Sequence, residues 1–104
     1  MPTMKERKRY ILFKVTSSSE VTKAEISEQV TKACLQFLGE LGVANAGVQF
    51  LPETWKNNRG IIRVGHKYVD HVKSSLALVK KIGNKKVTIT CLKVSGNIGK
   101  LKGK

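Results

Sequence analysis

The segment Arg9 to Thr16, RYILFKVT, alternates its side chains with a period of two, and behind it the apolar period changes to three and four. That switch marks a strand feeding an amphipathic helix. It occurs twice along the chain, and the order of the periodicities constrains the fold more than any other feature. Ile11, Phe13 and Val15 point to one face of the first strand, and Tyr10, Leu12 and Lys14 to the other. After the polar loop Ser17 to Glu20, Thr22-Lys23-Ala24-Glu25 fits a capping box, in which the Thr22 hydroxyl and the Glu25 carboxylate each satisfy a free amide of the helix start. Ile26, Val30, Ala33, Cys34, Phe37, Leu38 and Leu41 then make one buried stripe, and Gly42 predicts the stop.

Gly47 to Leu51, GVQFL, predicts a short second strand, and Pro52 with the polar run Glu53 to Asn58, carrying Trp55, a connection. Arg59 to Val64, RGIIRV, predicts a third strand that Gly65 breaks. A second helix is expected from Tyr68 to Ile82, with Val69, Val72, Leu76, Val79 and Ile82 as its stripe and Gly83 as its stop. Lys85 to Val94 is the expected fourth strand. It sets Val87, Ile89 and Cys91 against Thr88, Thr90 and Leu92. The order βαββαβ predicts an α+β fold: a two-layer ferredoxin-like, RNA-recognition-like sandwich, with an antiparallel four-stranded sheet and two helices on one face. Residues 9–95 form the expected domain. A basic arm (1–8) precedes it and a basic tail (96–104) follows, the tail having only Ile98 and Leu101 as apolar anchors.

Charge narrows the function. The chain holds 20 Lys and Arg against 7 Asp and Glu. Glu20 to Glu53 carries a net −3 and the remainder +16. Such an asymmetry sets a positive field over part of the surface, and nucleic acid is the polyanion it suits. The cations fall in four clusters. The arm supplies Lys5, Arg7, Lys8 and Arg9. The third strand and its turns supply Lys56, Arg59, Arg63 and Lys67. The exit of the second helix supplies Lys80, Lys81, Lys85 and Lys86, and the tail Lys93, Lys100, Lys102 and Lys104. The exit loop and the arm are expected to share one end of the sheet, with the acidic first helix facing away from RNA. From these clusters, the predicted RNA contacts are Lys5, Arg7, Lys8, Arg9, Arg59, Arg63, Lys80, Lys81, Lys85, Lys86, Lys93, Lys100 and Lys102. Lysines dominate, which favours phosphate contact over bidentate base reading, and so structured RNA recognised by shape.

The sheet face away from the helices is expected to be open. Ile61 and Ile62 stand where RNA-recognition domains place aromatics, and only Tyr10 is available for stacking there. Tyr10, Leu12, Ile61 and Leu92 instead predict an exposed apolar patch for a protein partner, which Ile98 and Leu101 can partly cover. Gly96 to Lys100, GNIGK, has two residues between its glycines where a P-loop needs four. Nucleotide hydrolysis is rejected, and amides around Gly96 and Gly99 remain a candidate anion nest.

No catalytic constellation emerges. His66 and His71 read as surface or helix-terminal residues, Cys34 and Cys91 as small buried hydrophobes, and neither pair has metal-ligand spacing. A small acylphosphatase-like enzyme is the alternative outside binding proteins, but it would need Arg and Gly in the loop after the first strand, where Ser17-Ser18-Ser19-Glu20 stands. No run approaches the roughly 20 apolar residues of a membrane span, and no signal-peptide block follows the arm, so an intracellular protein is expected.

Five segments in register carry a resemblance: Lys8 to Val15, Ala33 to Gly42, Gly60 to Val64, Val72 to Val79 and Leu92 to Ile98. Together they resemble the archaeal-type protein component 2 family of ribonuclease P, whose eukaryotic relatives are shared with the mitochondrial-RNA-processing ribonucleoprotein. The resemblance spans residues 8 to 102 and is weakest around Trp55 and Asn57-Asn58. It implies a βαββαβ subunit of the ribonucleoprotein that removes the 5′ leader of precursor transfer RNA. It further implies that the catalytic centre and its divalent metal, magnesium, lie in the RNA, and that the protein carries no cofactor and supports the RNA's catalytic domain. A TIM-barrel-like protein subunit, two copies in the assembly and a cytoplasmic location for an archaeal-type chain (nuclear or nucleolar for a eukaryotic one) are implied as well. Relatives often continue past the Gly-x-Ile segment with another basic stretch. The alternative within binding proteins is a ribosomal or other ribonucleoprotein RNA-binder.

Overall fold

The computed structural model describes residues 7–82 and 84–101. Five antiparallel strands and two helices follow one another as β1 (Lys8–Ser17), α1 (Lys23–Ala46), β2 (Gln49–Lys56), β3 (Arg59–Gly65), α2 (Val69–Ala77), β4 (Lys81–Ile82) and β5 (Lys85–Ser95). Short 3-10 turns sit at His66–Tyr68 and Ile98–Lys100. The sheet order is β2-β3-β1-β5-β4. The α+β prediction therefore stands, and its strand count of four is corrected to five.

One face of the sheet carries the main core. Ile11, Phe13 and Val15 from β1, Ile62 and Val64 from β3, and Val87 and Ile89 from β5 pack against Ile26, Val30 and Cys34 of α1 and Val72 and Leu76 of α2. The capping box forms: the Thr22 hydroxyl accepts from the Glu25 amide (3.2 Å), and Glu25 accepts from the Thr22 amide (3.0 Å). The predicted stop at Gly42 is too early. The chain breaks helical geometry at Gly39 (φ 77°) and ends α1 at Gly47, whose left-handed φ of 63° lets its amide reach the Val43 carbonyl. The break resets the stripe beyond it, so Ala46 is buried while Leu41 is exposed; Phe37, before the break, is exposed as well.

The polar run after Pro52 is strand, not connection. Asn57 and Asn58, with φ of 54° and 60°, make the two-residue turn that twists β2 back onto β3. Pro52 is tolerated because β2 is an edge strand. The register slips between Leu51 and Lys56, and Thr54 closes the gap: its hydroxyl donates to the Leu51 carbonyl (2.6 Å) and accepts from the Ile61 amide (2.9 Å). Trp55 swings into the core beside Phe13 and Phe50, with ring centroids 6.1 and 6.3 Å away, and its indole donates to the Val21 carbonyl. The three rings crowd over Gly60, where a Cβ would lie 2.9 Å from Phe50 and 3.0 Å from Trp55.

The second helix is shorter than predicted. It ends at Ala77, and the expected stop, Gly83, lies outside the described residues. Val79 and Ile82 are buried as the helical stripe required, but from a turn and from β4. Apolar spacing alone does not separate those two routes into the core.

Candidate nucleic-acid interface

Strand register decides which cations meet. Lys56 lies opposite Arg59, Arg59 opposite Lys14, and Lys14 opposite Thr90, so one row crosses β2, β3, β1 and β5. The next row on that face is Leu51, Ile61, Leu12 and Lys93, and the one beyond it Gln49, Arg63, Tyr10 and Ser95. The face away from the helices thus has a cationic row, a largely apolar row and a mixed polar row.

The apolar row is not open. Leu101 folds back from the tail and packs on Leu12, Leu51 and Ile61, with Tyr10 and Ile98 at the margin. Leu12 and Ile61, expected as an exposed partner surface, are 7% and 2% exposed. Tyr10 is half-buried, and of the four predicted partner residues only Leu92 is exposed. A bulge between Leu12 and Phe13 skips Leu92, so Lys93, not Leu92, stands opposite Leu12.

The predicted cations also separate. The described end of the arm, at Arg7 and Lys8, does not lie at the same end of the sheet as the exit of α2. Because β1 and β5 are antiparallel, Tyr10 pairs with Ser95 while Ser17 pairs with Val87, placing Lys8 and Arg9 at the end of the sheet remote from Lys80, Lys81 and Lys86. Lys85 is engaged: its ammonium bonds both Glu25 carboxylate oxygens (3.0 and 3.2 Å) and the Glu20 carbonyl (2.8 Å). That contact holds the start of β5 to the start of α1. The Thr22 amide first and Lys85 second keep the Glu25 carboxyl below its ordinary value. The Lys8 ammonium lies 2.9 Å from where a Gly47 Cβ would stand, at the carboxyl end of α1, where a cation is favoured and the helix's last turn supplies none. Arg9 lies along the Gly96 backbone. Arg7 is exposed, and its carbonyl accepts from the His66 amide (2.8 Å). Arg63 is half-buried; Lys80, Lys81, Lys86 and Lys93 are exposed. Lys5, Lys102 and the Lys100 side chain lie outside the described residues.

The candidate nest is also occupied from within. The Gly99 amide donates to Asn97 Oδ1 (2.9 Å), and the Asn97 amide to Ser95 Oγ (3.1 Å).

Lys14 and Lys56 are absent from the predicted RNA contacts, although Lys56 falls in the same sequence cluster as Arg59. The three line a shallow cleft of about 800 Å³ with Leu12, Ile61 and Leu101. Lys14 is already assigned to the open face; that Lys56 stands directly beside Arg59 follows only once Asn57-Asn58 is treated as a hairpin turn.

Among the described residues no group of three or more His, Cys, Asp or Glu is placed to hold a metal, and no helix is long and apolar enough to cross a membrane. Burial pushes the Cys34 thiol up to about 11 and also raises that of Cys91, where Lys73 partly offsets it.

Fold and surface together define a small α+β protein with a row of cations across the sheet face away from its helices. The chain belongs to the Rpp14/Pop5 family, whose model matches residues 9–104. Its relatives include ribonuclease P protein component 2 of Pyrococcus furiosus, 44% identical over 99% of this chain and 86% of that protein. The counterpart in Methanocaldococcus jannaschii is 38% identical over 97% of this chain and 74% of its own length. A chain of yeast ribonuclease MRP, solved by cryo-electron microscopy, superposes with a TM-score of 0.69 at 18% identity, covering 93% of this chain and 79% of that one. That likeness concerns the fold. The family is one of ribonuclease P protein components, which places the chain among ribonucleoprotein subunits of transfer-RNA processing, with RNA and other protein subunits as its partners.

Proposed function

We propose that this chain is a non-catalytic RNA-binding subunit of ribonuclease P that stabilises the catalytic domain of its RNA for removal of the 5′ leader from precursor transfer RNA. The observation that carries the reading is the idle state of the charge. Among the described residues one ion pair forms, Lys85 with Glu25, and the other cations, including those of the open sheet face, are left without an acidic partner. Cations held apart from carboxylates keep their full attraction for phosphate, and binding releases the counterions condensed on RNA. The chemistry then belongs to the RNA and to magnesium bound there. A TIM-barrel-like subunit, a second copy of this chain and a cytoplasmic setting complete the proposed assembly. The four long strands are read as the ferredoxin-like plan, with β4 added at its edge.

The test is reconstitution of precursor cleavage with the cognate RNA, with and without this chain, beside a salt titration of binding. Cleavage should need less magnesium when the chain is present. For about six neutralised phosphates, log K should fall against log salt with a slope of about −4 to −5. A flat plot, or cleavage by the protein freed of RNA, would overturn the reading.

A further inference from the structure

We infer that the cleft over the Lys56–Arg59–Lys14 row seats an unpaired segment of RNA running across the strands. The inference rests on the proposed RNA-binding function and names a site for it. Adjacent strands lie about 4.8 Å apart, so three side chains on β2, β3 and β1 spread their charge over about 10 Å, perpendicular to the strands. Thr90 of β5 continues the row with a hydroxyl. Lys14 and Lys56 are exposed and Arg59 half-buried, and none forms an ion pair among the described residues, although Glu53 also lines the cleft.

The shape selects the ligand. One wall is the apolar row of Leu12 and Ile61 capped by Leu101; the other side is the β2–β3 turn. A helix of A-form RNA presents its phosphates on a convex surface and meets a concavity only at its rim. A single strand can lie along the row with phosphates on the cations and a base against the apolar wall. Stacking contributes little, because Trp55 is the cleft's one aromatic and is packed against Phe13 and Phe50. The site should therefore tolerate any base and read the backbone.

The test uses the full chain with three probes: octauridylate, a blunt RNA hairpin and uridine monophosphate. Trp55 is the chain's single tryptophan and lines the cleft, so its emission reports occupancy. Octauridylate should change that emission saturably, and the hairpin and the mononucleotide should not at the same phosphate concentration. In the variant Lys14→Gln/Lys56→Gln/Arg59→Gln, the salt slope for octauridylate should become shallower by about 2, from roughly 0.7 per contact on a single strand. Between 50 and 200 mM salt the wild type then loses about 20-fold more affinity than the variant. The control Lys23→Gln/Lys32→Gln/Lys73→Gln, at three exposed lysines outside the predicted RNA contacts, should keep the wild-type slope with octauridylate, and circular dichroism of both variants should match the wild type. Equal slopes in the wild type and the first variant, or an emission change as large with the hairpin or the mononucleotide, overturns the cleft assignment while leaving the RNA-binding reading in place. Salt-independent binding of every RNA by the wild type would overturn both.

Discussion

Replacing Leu101 by Ala should detach the tail from the sheet. Full burial of a leucine side chain contributes about 1.5–3 kcal/mol. Leu101 is 2% exposed on a floor of Leu12, Leu51 and Ile61, which places it toward the top of that range. The segment it anchors opposes it, since each ordered backbone residue costs about 1–2 kcal/mol. The hydrogen bonds of Asn97, Gly99 and Leu101 recover about 1 kcal/mol apiece. In a closed core the truncation would leave a cavity and cost about 2–5 kcal/mol. Here the tail can instead let go and regain its entropy, which limits the net loss to about 1–2 kcal/mol. For a domain of this size that is about 5–15 °C in the thermal midpoint. Thermal unfolding followed by circular dichroism measures it, and an apolar dye should bind the uncovered Tyr10, Leu12, Leu51 and Ile61. Leu92→Ala, at a residue 44% exposed, should stay within about 4 °C of wild type. An unchanged midpoint for Leu101→Ala, with no dye bound, would refute the packing of the tail against the sheet.

Gly60→Ala should destabilise by about 1–3 kcal/mol in urea unfolding, because the new methyl meets Phe50, Trp55 and Phe13 at once and the rings have little room to yield. A wild-type urea midpoint would mean that the ring cluster is loose. For Glu25, the folded carboxyl sits below its ordinary 4.5, so its ionised form stabilises the fold above that value. The contribution is lost as pH falls through the lowered folded value. Glu25→Gln should therefore lower the urea midpoint at neutral pH, and its stability difference from wild type should shrink as the solution is acidified below pH 4.5. Curves that remain parallel to the lowest pH would dismiss the capping box and the Lys85 contact as the cause.

Elements that rest on local chemistry were legible in the sequence. The capping box at Thr22 and Glu25, the strand pattern of β1 and the third strand from Arg59 involve neighbours along the chain, and the structure reproduces them. Elements decided by distant packing were not. Gly39, Gly42 and Gly47 all follow good helical sequence, and nothing local says that the first and last take a positive φ while Gly42 stays helical. The stretch from Pro52 to Lys56 is polar because β2 is an edge strand, and its one large apolar residue, Trp55, finds its partners in β1 and at Val21. Val79 and Ile82 satisfy a helical period while entering the core by another route.

The site was harder to read than the fold for a related reason. Composition shows that the chain carries excess cation, but a cation becomes part of a site only through its register neighbours. Lys85 and Lys86 are adjacent in sequence, yet the first is bound to Glu25 and the second is exposed. Lys14, Lys56 and Arg59 form one row only because the Asn57-Asn58 turn folds β2 onto β3, and because the slip after Leu51, closed by Thr54, sets Lys56 opposite Arg59. Without that slip, continuation of the Leu51–Ile61 register would set Arg59 opposite Glu53, the acid that now lines the cleft without neutralising the row. The irregularity of β2 is thus what leaves a strand-crossing line of positive charge on the sheet, and it is the arrangement of the cations, more than their number, that makes the row.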